Sequence, residues 1–98
     1  MLTVKTDLNK LGHGAFKLYE DDVQTGQMTV GIKDGRMAVF HTEVDPKNQG
    51  KGYAGALLHA MVAYARAHHP GVIVLCPYVG HQFKKNPEQY ADIWIRHL

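Results

Sequence analysis

Among the side chains of types that move protons or form bonds near neutral pH, three stand where strand and loop could bring them together: Cys76, His41 and Glu43. The cysteine ends an apolar run, V-I-V-L-C, and precedes a segment expected to be helical. A helix N-terminus stabilises thiolate, the reactive form of the thiol. His41 and Glu43 stand two apart in H-T-E-V, so on a strand they share a face. Either can take a proton, directly or through water, from a group that must lose one before it reacts. If their strand lies beside the one ending in Cys76, an approach of His41 to Cys76 is expected. Against these roles stand three plain ones: a buried structural cysteine, a satisfied core histidine and a solvated strand-end carboxylate.

Between them lies Asn48–Gly55, N-Q-G-K-G-Y-A-G, a glycine loop opening a helix. A helix start has unpaired N–H groups and a partial positive charge, so it attracts phosphate, and glycine lets the backbone come close. Two patterns overlap here. G-x-G-x-x-G (Gly50, Gly52, Gly55) is the dinucleotide fingerprint, which wants a strand running straight into the first glycine and an acid about 20 residues on. Asp45-Pro46-Lys47-Asn48-Gln49 intervenes, and no acid occurs between Asp45 and Glu88. A Walker loop fails because Lys51 is followed by glycine, not Ser or Thr. The remaining pattern is Q-x-x-G-x-A (Gln49, Gly52, Ala54). Its residues Gln49, Gly50, Lys51, Gly52, Tyr53 and Ala54 open the helix as a loop expected to cradle phosphate. Lys51 can reach a phosphate, and Gly55 only helps the helix pack.

The elements that must position these residues follow from periodicity. Ala15–Tyr19, Gln27–Lys33 and Arg36–Val44 read as three strands of an antiparallel meander, with Asp34-Gly35 as a hairpin turn. Residues 1–12 show weak alternation and no clear element. Tyr53–His68 is an amphipathic helix with Ala54, Leu57, Leu58, Met61, Val62 and Ala65 on one face. Val72–Cys76 reads as a strand buried on both sides. Val79–Lys85 is expected to be a short helix. A last helix is expected after Asn86-Pro87, with Tyr90, Ile93, Trp94 and Leu98 as its apolar stripe. The class is α/β: an antiparallel β-meander, a βαβ unit with parallel strands, then a C-terminal helical segment, all in a single domain of residues 1–98. Ligands in such arrangements bind at the C-terminal edge of the strands.

H-T-E-V-D-P-x-x-Q-G-K-G-Y-A, a helix, and V-I-V-L-C-P-Y together resemble the GNAT acetyltransferase superfamily, and more narrowly its minimal members of about this length. The likeness runs from His41 to about Asp92. It implies a GNAT-like fold and an N-acetyltransferase that uses acetyl-coenzyme A (acetyl-CoA) as cosubstrate and an amine of unstated identity as acceptor. It implies that the backbone N–H groups of Gln49 to Ala54 meet the coenzyme A pyrophosphate. It places the pantetheine arm between the third strand and Val72–Cys76, and a polarising backbone N–H near Val44. Tyr78 would line the thiol end. Cys76 is implied to be catalytic, either accepting the acetyl group or giving a proton to the departing thiolate, with His41 or Glu43 as base. Larger relatives carry helices between the first strands that this chain lacks. An open acceptor site is therefore expected, suited to a peptide or protein amine or completed by a second subunit, the chain being a monomer or a homodimer.

Bulk properties set the rivals. With 98 residues and a net charge of +2, the chain has one modest core. Seven of its nine acids lie at or before Asp45, and none between Pro46 and Pro87, where Lys47, Lys51, Arg66, Lys84 and Lys85 fall. That basic middle suits an anion. No apolar run is long enough to span a bilayer, and the single cysteine fits a reducing, cytosolic compartment. A non-catalytic coenzyme A module is one alternative. A nucleic-acid binder is another, though Tyr53, Tyr64, Tyr78 and Phe83 lack the alternation of a stacking platform. No metal is expected. His68-His69 lack ligand-spaced neighbours and read as partners of a helix C-terminus.

Overall fold

The computed structural model describes residues 1–68 and 70–96. The expectations for His69 and Leu98 therefore fall outside the described residues. One five-stranded sheet, in the order β1-β2-β3-β4-β5, carries the chain. Its strands are β1 (Leu2–Leu8), β2 (His13–Glu20), β3 (Val23–Lys33), β4 (Arg36–Val44) and β5 (Gly71–Val74). The first four form an antiparallel meander, and β5 adds in parallel to β4 after helix α1 (Tyr53–His68). Helix α2 (Pro77–Lys85) follows β5 directly. The hairpin at Asp34-Gly35 has left-handed φ angles of 53° and 73°, the geometry of a type I′ turn.

The core lies on one side of the sheet. Phe16, Leu18, Met28, Val30, Met37 and Val39 meet Leu57, Leu58, Met61, Val62 and Ala65 of α1. Each such side chain removed from water contributes ~1.5–3 kcal/mol. The opposite face carries Lys5, Lys17, Thr29, Phe40, His41 and Glu43, of which Lys5, Phe40, His41 and Glu43 are exposed. Phe40 lies across Gly31, where an added Cβ would stand 3.2 Å from its ring.

Four expectations are corrected here. Residues 2–8 form an edge strand, held by backbone pairing to β2. Its side chains are mostly exposed, so it carries little hydrophobic signal. The strand expected over Val72–Cys76 ends at Val74, and it is covered on one face only, with Leu75 exposed. Helix α2 begins two residues before the expected Val79, because Pro77 suits the first helical position.

The expected last helix does not form. Tyr90 stacks on Phe83 at 4.3 Å, and the chain then extends so that Val72 donates to Ile93 and Ile95 donates to Val72. Tyr90 and Ile93 of the expected stripe are buried, but residues 87–93 form successive turns and the outer edge of β5 takes the backbone at Ile93 and Ile95, which a helix would have kept to itself.

Candidate functional site

The site begins where two parallel strands part. β4 and β5 pair from Arg36↔Gly71 to Val39↔Val74. The N–H groups of Leu75 and Cys76 then both donate to the Val39 carbonyl at 3.0 Å, and pairing stops. β4 continues to Val44 with β3 on its other side only. Asp45 N–H bonds to the Thr25 carbonyl at 2.7 Å, and backbone groups of an antiparallel strand alternate in direction. The N–H groups of Val44 and Thr42 therefore point into the gap.

A β-bulge sets which side chains follow. Thr29 pairs with His41 but Val30 pairs with Val39, so Phe40 is the extra residue. A bulge shifts the alternation by one. Met37 and Val39 point into the core, and beyond the bulge Thr42 and Val44 take that face while His41 and Glu43 turn outward.

The expected approach of His41 to Cys76 is therefore corrected. His41 and Glu43 do share a face, with Nε2 to Oε1 at 3.3 Å, and are 61% and 59% exposed. It is Thr42 whose hydroxyl reaches Cys76 Sγ, at 3.2 Å. Cys76 is 3% exposed and stands at the N-cap of α2, its carbonyl accepting from Gly80 N–H.

The glycine loop closes the other end of the gap. A 3-10 turn at Pro46–Asn48 is capped by the Asp45 carboxylate, which accepts from Lys47 N–H. Gly50 and Gly52 then adopt φ of +86° and +79°, open only to glycine at no cost, and a Cβ at either would meet nothing within 4 Å. The first helical bond of α1 runs from Ala56 N–H to the Gly52 carbonyl. Tyr53, Ala54 and Gly55 thus have no intrahelical partner for their N–H groups, glycine supplies no capping oxygen, and the first turn holds no acid. Lys51 Nζ lies 3.2 Å from the side-chain oxygen of buried Asn48.

Thr42, Val44, Asn48, Gln49, Gly50, Gly52, Tyr53, Ala54, Gly55 and Tyr78 enclose a cleft of about 440 Å³. It brings together the loop, Val44 and Tyr78 but not His41, Glu43 or the Cys76 side chain, which lies just behind Thr42. Burial pushes the Tyr78 phenol above its ordinary range. The Tyr53 side chain turns away, its hydroxyl donating to Glu20; that bond raises the phenol's pKa and ties the start of α1 to β2. A Cβ at Gly55 would meet nothing within 4 Å, so no close approach requires glycine there, correcting its expected packing role.

Sequence reasoning missed Thr42, Asn48 and Glu20. The signal for Thr42 was parity, but parity along β4 is set by a bulge that H-T-E-V does not announce. Among the described residues, no group of three or more His, Cys, Asp or Glu is placed to hold a metal, and no helix is long and apolar enough to cross a membrane.

The arrangement suits a long ligand with phosphate at one end. Uncapped N–H donors and left-handed glycines face the cleft mouth, and a narrower gap with outward N–H groups leads from there to Thr42 and Cys76. A family model described as "GCN5-related N-acetyl-transferase" matches residues 15–93. No curated protein matches this chain.

Similar solved structures include the ribosomal-protein-S18-alanine N-acetyltransferase of Escherichia coli, at TM-score 0.62 and 16% identity over 67% of this chain and 43% of that one. The Brucella melitensis ribosomal-protein-alanine N-acetyltransferase gives TM-score 0.60 and 19% identity over 88% and 66%. A Staphylococcus aureus protein described as a probable acetyltransferase gives 0.54 and 16% over 93% and 89%. These likenesses concern the fold, and this chain spans less than half the length of the Escherichia coli enzyme.

Proposed function

The chain belongs to the GCN5-related N-acetyltransferase family, and on that premise we propose that it transfers an acetyl group from acetyl-CoA to an amine. The observation that carries the reading is the fork between β4 and β5 with an uncapped, glycine-started helix at its mouth. Acetyl-CoA supplies an activated acyl carbon and a pyrophosphate, and the residues present fit both. Gly50 and Gly52 leave open space where side chains would block a phosphate. The N–H groups of Tyr53, Ala54 and Gly55 face it with the helix dipole behind them.

In this reading Val44 N–H, directed into the gap, donates to the thioester oxygen as negative charge develops there, a role generally worth about 10²–10³ in rate. His41 and Glu43 stand on the uncovered face of β4, one residue either side of Thr42. A group held at the bare strand edge is open from both faces, so that pair takes the proton from an incoming ammonium. The amine nitrogen then forms its bond to the acyl carbon, the carbon–sulfur bond breaks, the sulfur leaves with the electron pair, and the nitrogen sheds its second proton to solvent to give the neutral amide.

Cys76 gives the leaving sulfur its proton and regains one through solvent. This role is favoured over an acetyl-cysteine intermediate because the described side-chain partner of Cys76 is the Thr42 hydroxyl, not a base.

Thermal unfolding with and without acetyl-CoA tests the binding step. A ligand held at 100 times its Kd by the folded state alone adds about 2.7 kcal/mol, or roughly 10 °C or more for a chain this small. No rise in midpoint at millimolar acetyl-CoA would overturn the proposal.

A further inference from the structure

A second cavity, of about 540 Å³, lies beyond Cys76, along β5 and away from the glycine loop. Its floor is apolar: Ile73, Val74, Trp94 and Ile95. Its rim is basic. Gly80, His81 and Lys84 project from one face of α2, at i, i+1 and i+4, and Arg96 lies over the Trp94 ring at 4.3 Å. Among the described residues no carboxylate lines it. Gly80 lines it without a side chain, and a Cβ there would meet only Val74, at an ordinary 3.5 Å, so a longer side chain is needed to fill the space. Cys76 is the wall between this cavity and the cleft, lining the one and touching Thr42 of the other.

We propose that this cavity binds the non-reacting part of the acceptor, and that the acceptor is a small amine with an apolar body and an anionic group such as a carboxylate. An apolar floor holds the body, and Lys84 and Arg96 hold the anion, with fixed positive charge and no acid among the described lining residues to offset it. The acceptor assignment rests on the acetyl-transfer reading above; the anion site does not.

The chain's single tryptophan, Trp94, lines the cavity and reports on it without any chemistry. Titrating the protein, free of acetyl-CoA, with 3-phenylpropionate should change Trp94 fluorescence saturably, while 2-phenylethylamine should not. Lys84→Glu should weaken the carboxylate at least 10-fold. Gly80→Met should abolish its binding, with thermal midpoints of both variants confirming that they fold. Equal response to carboxylate and amine, or no response to either, overturns the site.

The second arm measures thiol release from acetyl-CoA with L-phenylalanine and L-phenylalaninamide as acceptors. A preference of about 10-fold in kcat/KM for the carboxylate, lost in Lys84→Glu, is expected. Equal use of the two acceptors overturns the acceptor assignment. No thiol release with either, beside an intact fluorescence response, counts against acetyl transfer and leaves the anion site standing.

Discussion

Cys76 and Thr42 form a hydrogen-bonded pair across the fork, and the arrangement distinguishes two mechanisms. If the thiol gives a proton, Cys76→Ala should lower kcat by roughly 10²-fold, within the usual range for a general acid. It should leave the acetyl-CoA-induced rise in melting midpoint intact, and intact-mass spectrometry of wild-type protein during turnover should show no 42-dalton adduct. Thr42→Val, which removes the thiol's partner while keeping its shape, should give a smaller loss of about 10-fold.

His41 and Glu43 are exposed, so their ion pair contributes only about 0–1 kcal/mol to stability. His41→Gln and Glu43→Gln should therefore melt like wild type. What should change is the acid limb of the pH–rate profile, and an unchanged limb in both variants would remove the pair from the mechanism.

At the scale of elements, the glycines of the loop are not equivalent. Gly52→Ala forces a left-handed φ of +79° on a residue with a Cβ, costing about 1 kcal/mol, and also crowds the phosphate cradle. Its acetyl-CoA affinity should fall by about tenfold in a calorimetric titration. Gly55 has an ordinary helical φ and open space, so Gly55→Ala should raise stability by roughly 0.5–1 kcal/mol in urea melts.

The segment after α2 is tied to α1 by Arg66, which donates to both Asp92 oxygens and to the Gln89 carbonyl. The Arg66 hydrogen bonds hold the Asp92 carboxyl below its ordinary range. The folded state therefore binds that proton less readily than the unfolded chain. The tie is fully present above the usual Asp value, near pH ~4, and is lost as pH falls through the depressed one. Asp92→Asn should flatten the acid side of the stability profile. Because Asp92 is over half exposed, the difference should be small and should shrink with salt.

For the molecule as a whole, helix α1 and the sheet enclose one core on one side, and the other sheet face is uncovered. A chain this small has little stability to spare. Met61 is fully buried against the sheet, and Met61→Ala should cost ~2–5 kcal/mol, lowering the melting midpoint by about 10 °C or more. In the proposed reading acetyl-CoA sits at the N-terminus of α1, in a cleft that Met61 does not line, so saturating ligand should restore a large part of the lost midpoint. Failure of the ligand to protect this variant while it protects wild type would mean that the cleft and the core are one cooperative unit.

Much of this was legible in the residues. Left-handed turns at Asp34-Gly35 and in the glycine loop, the amphipathic α1 and the βαβ order follow from local chemistry: glycine's freedom, the 3.6-residue period and the need for a crossover between parallel strands. The glycine loop with its uncapped N–H donors was legible for the same reason, since those donors belong to consecutive residues. What the tertiary structure decided lies between elements. The polar edge strand β1 exists only because β2 offers it hydrogen bonds. The segment after Tyr90 turned onto the open edge of β5, which bridges Trp94, and did not continue as a helix. The one-residue bulge at Phe40 turned His41 away and Thr42 toward Cys76. Side-chain direction on a strand depends on register with a neighbour, and register is a property of the pair.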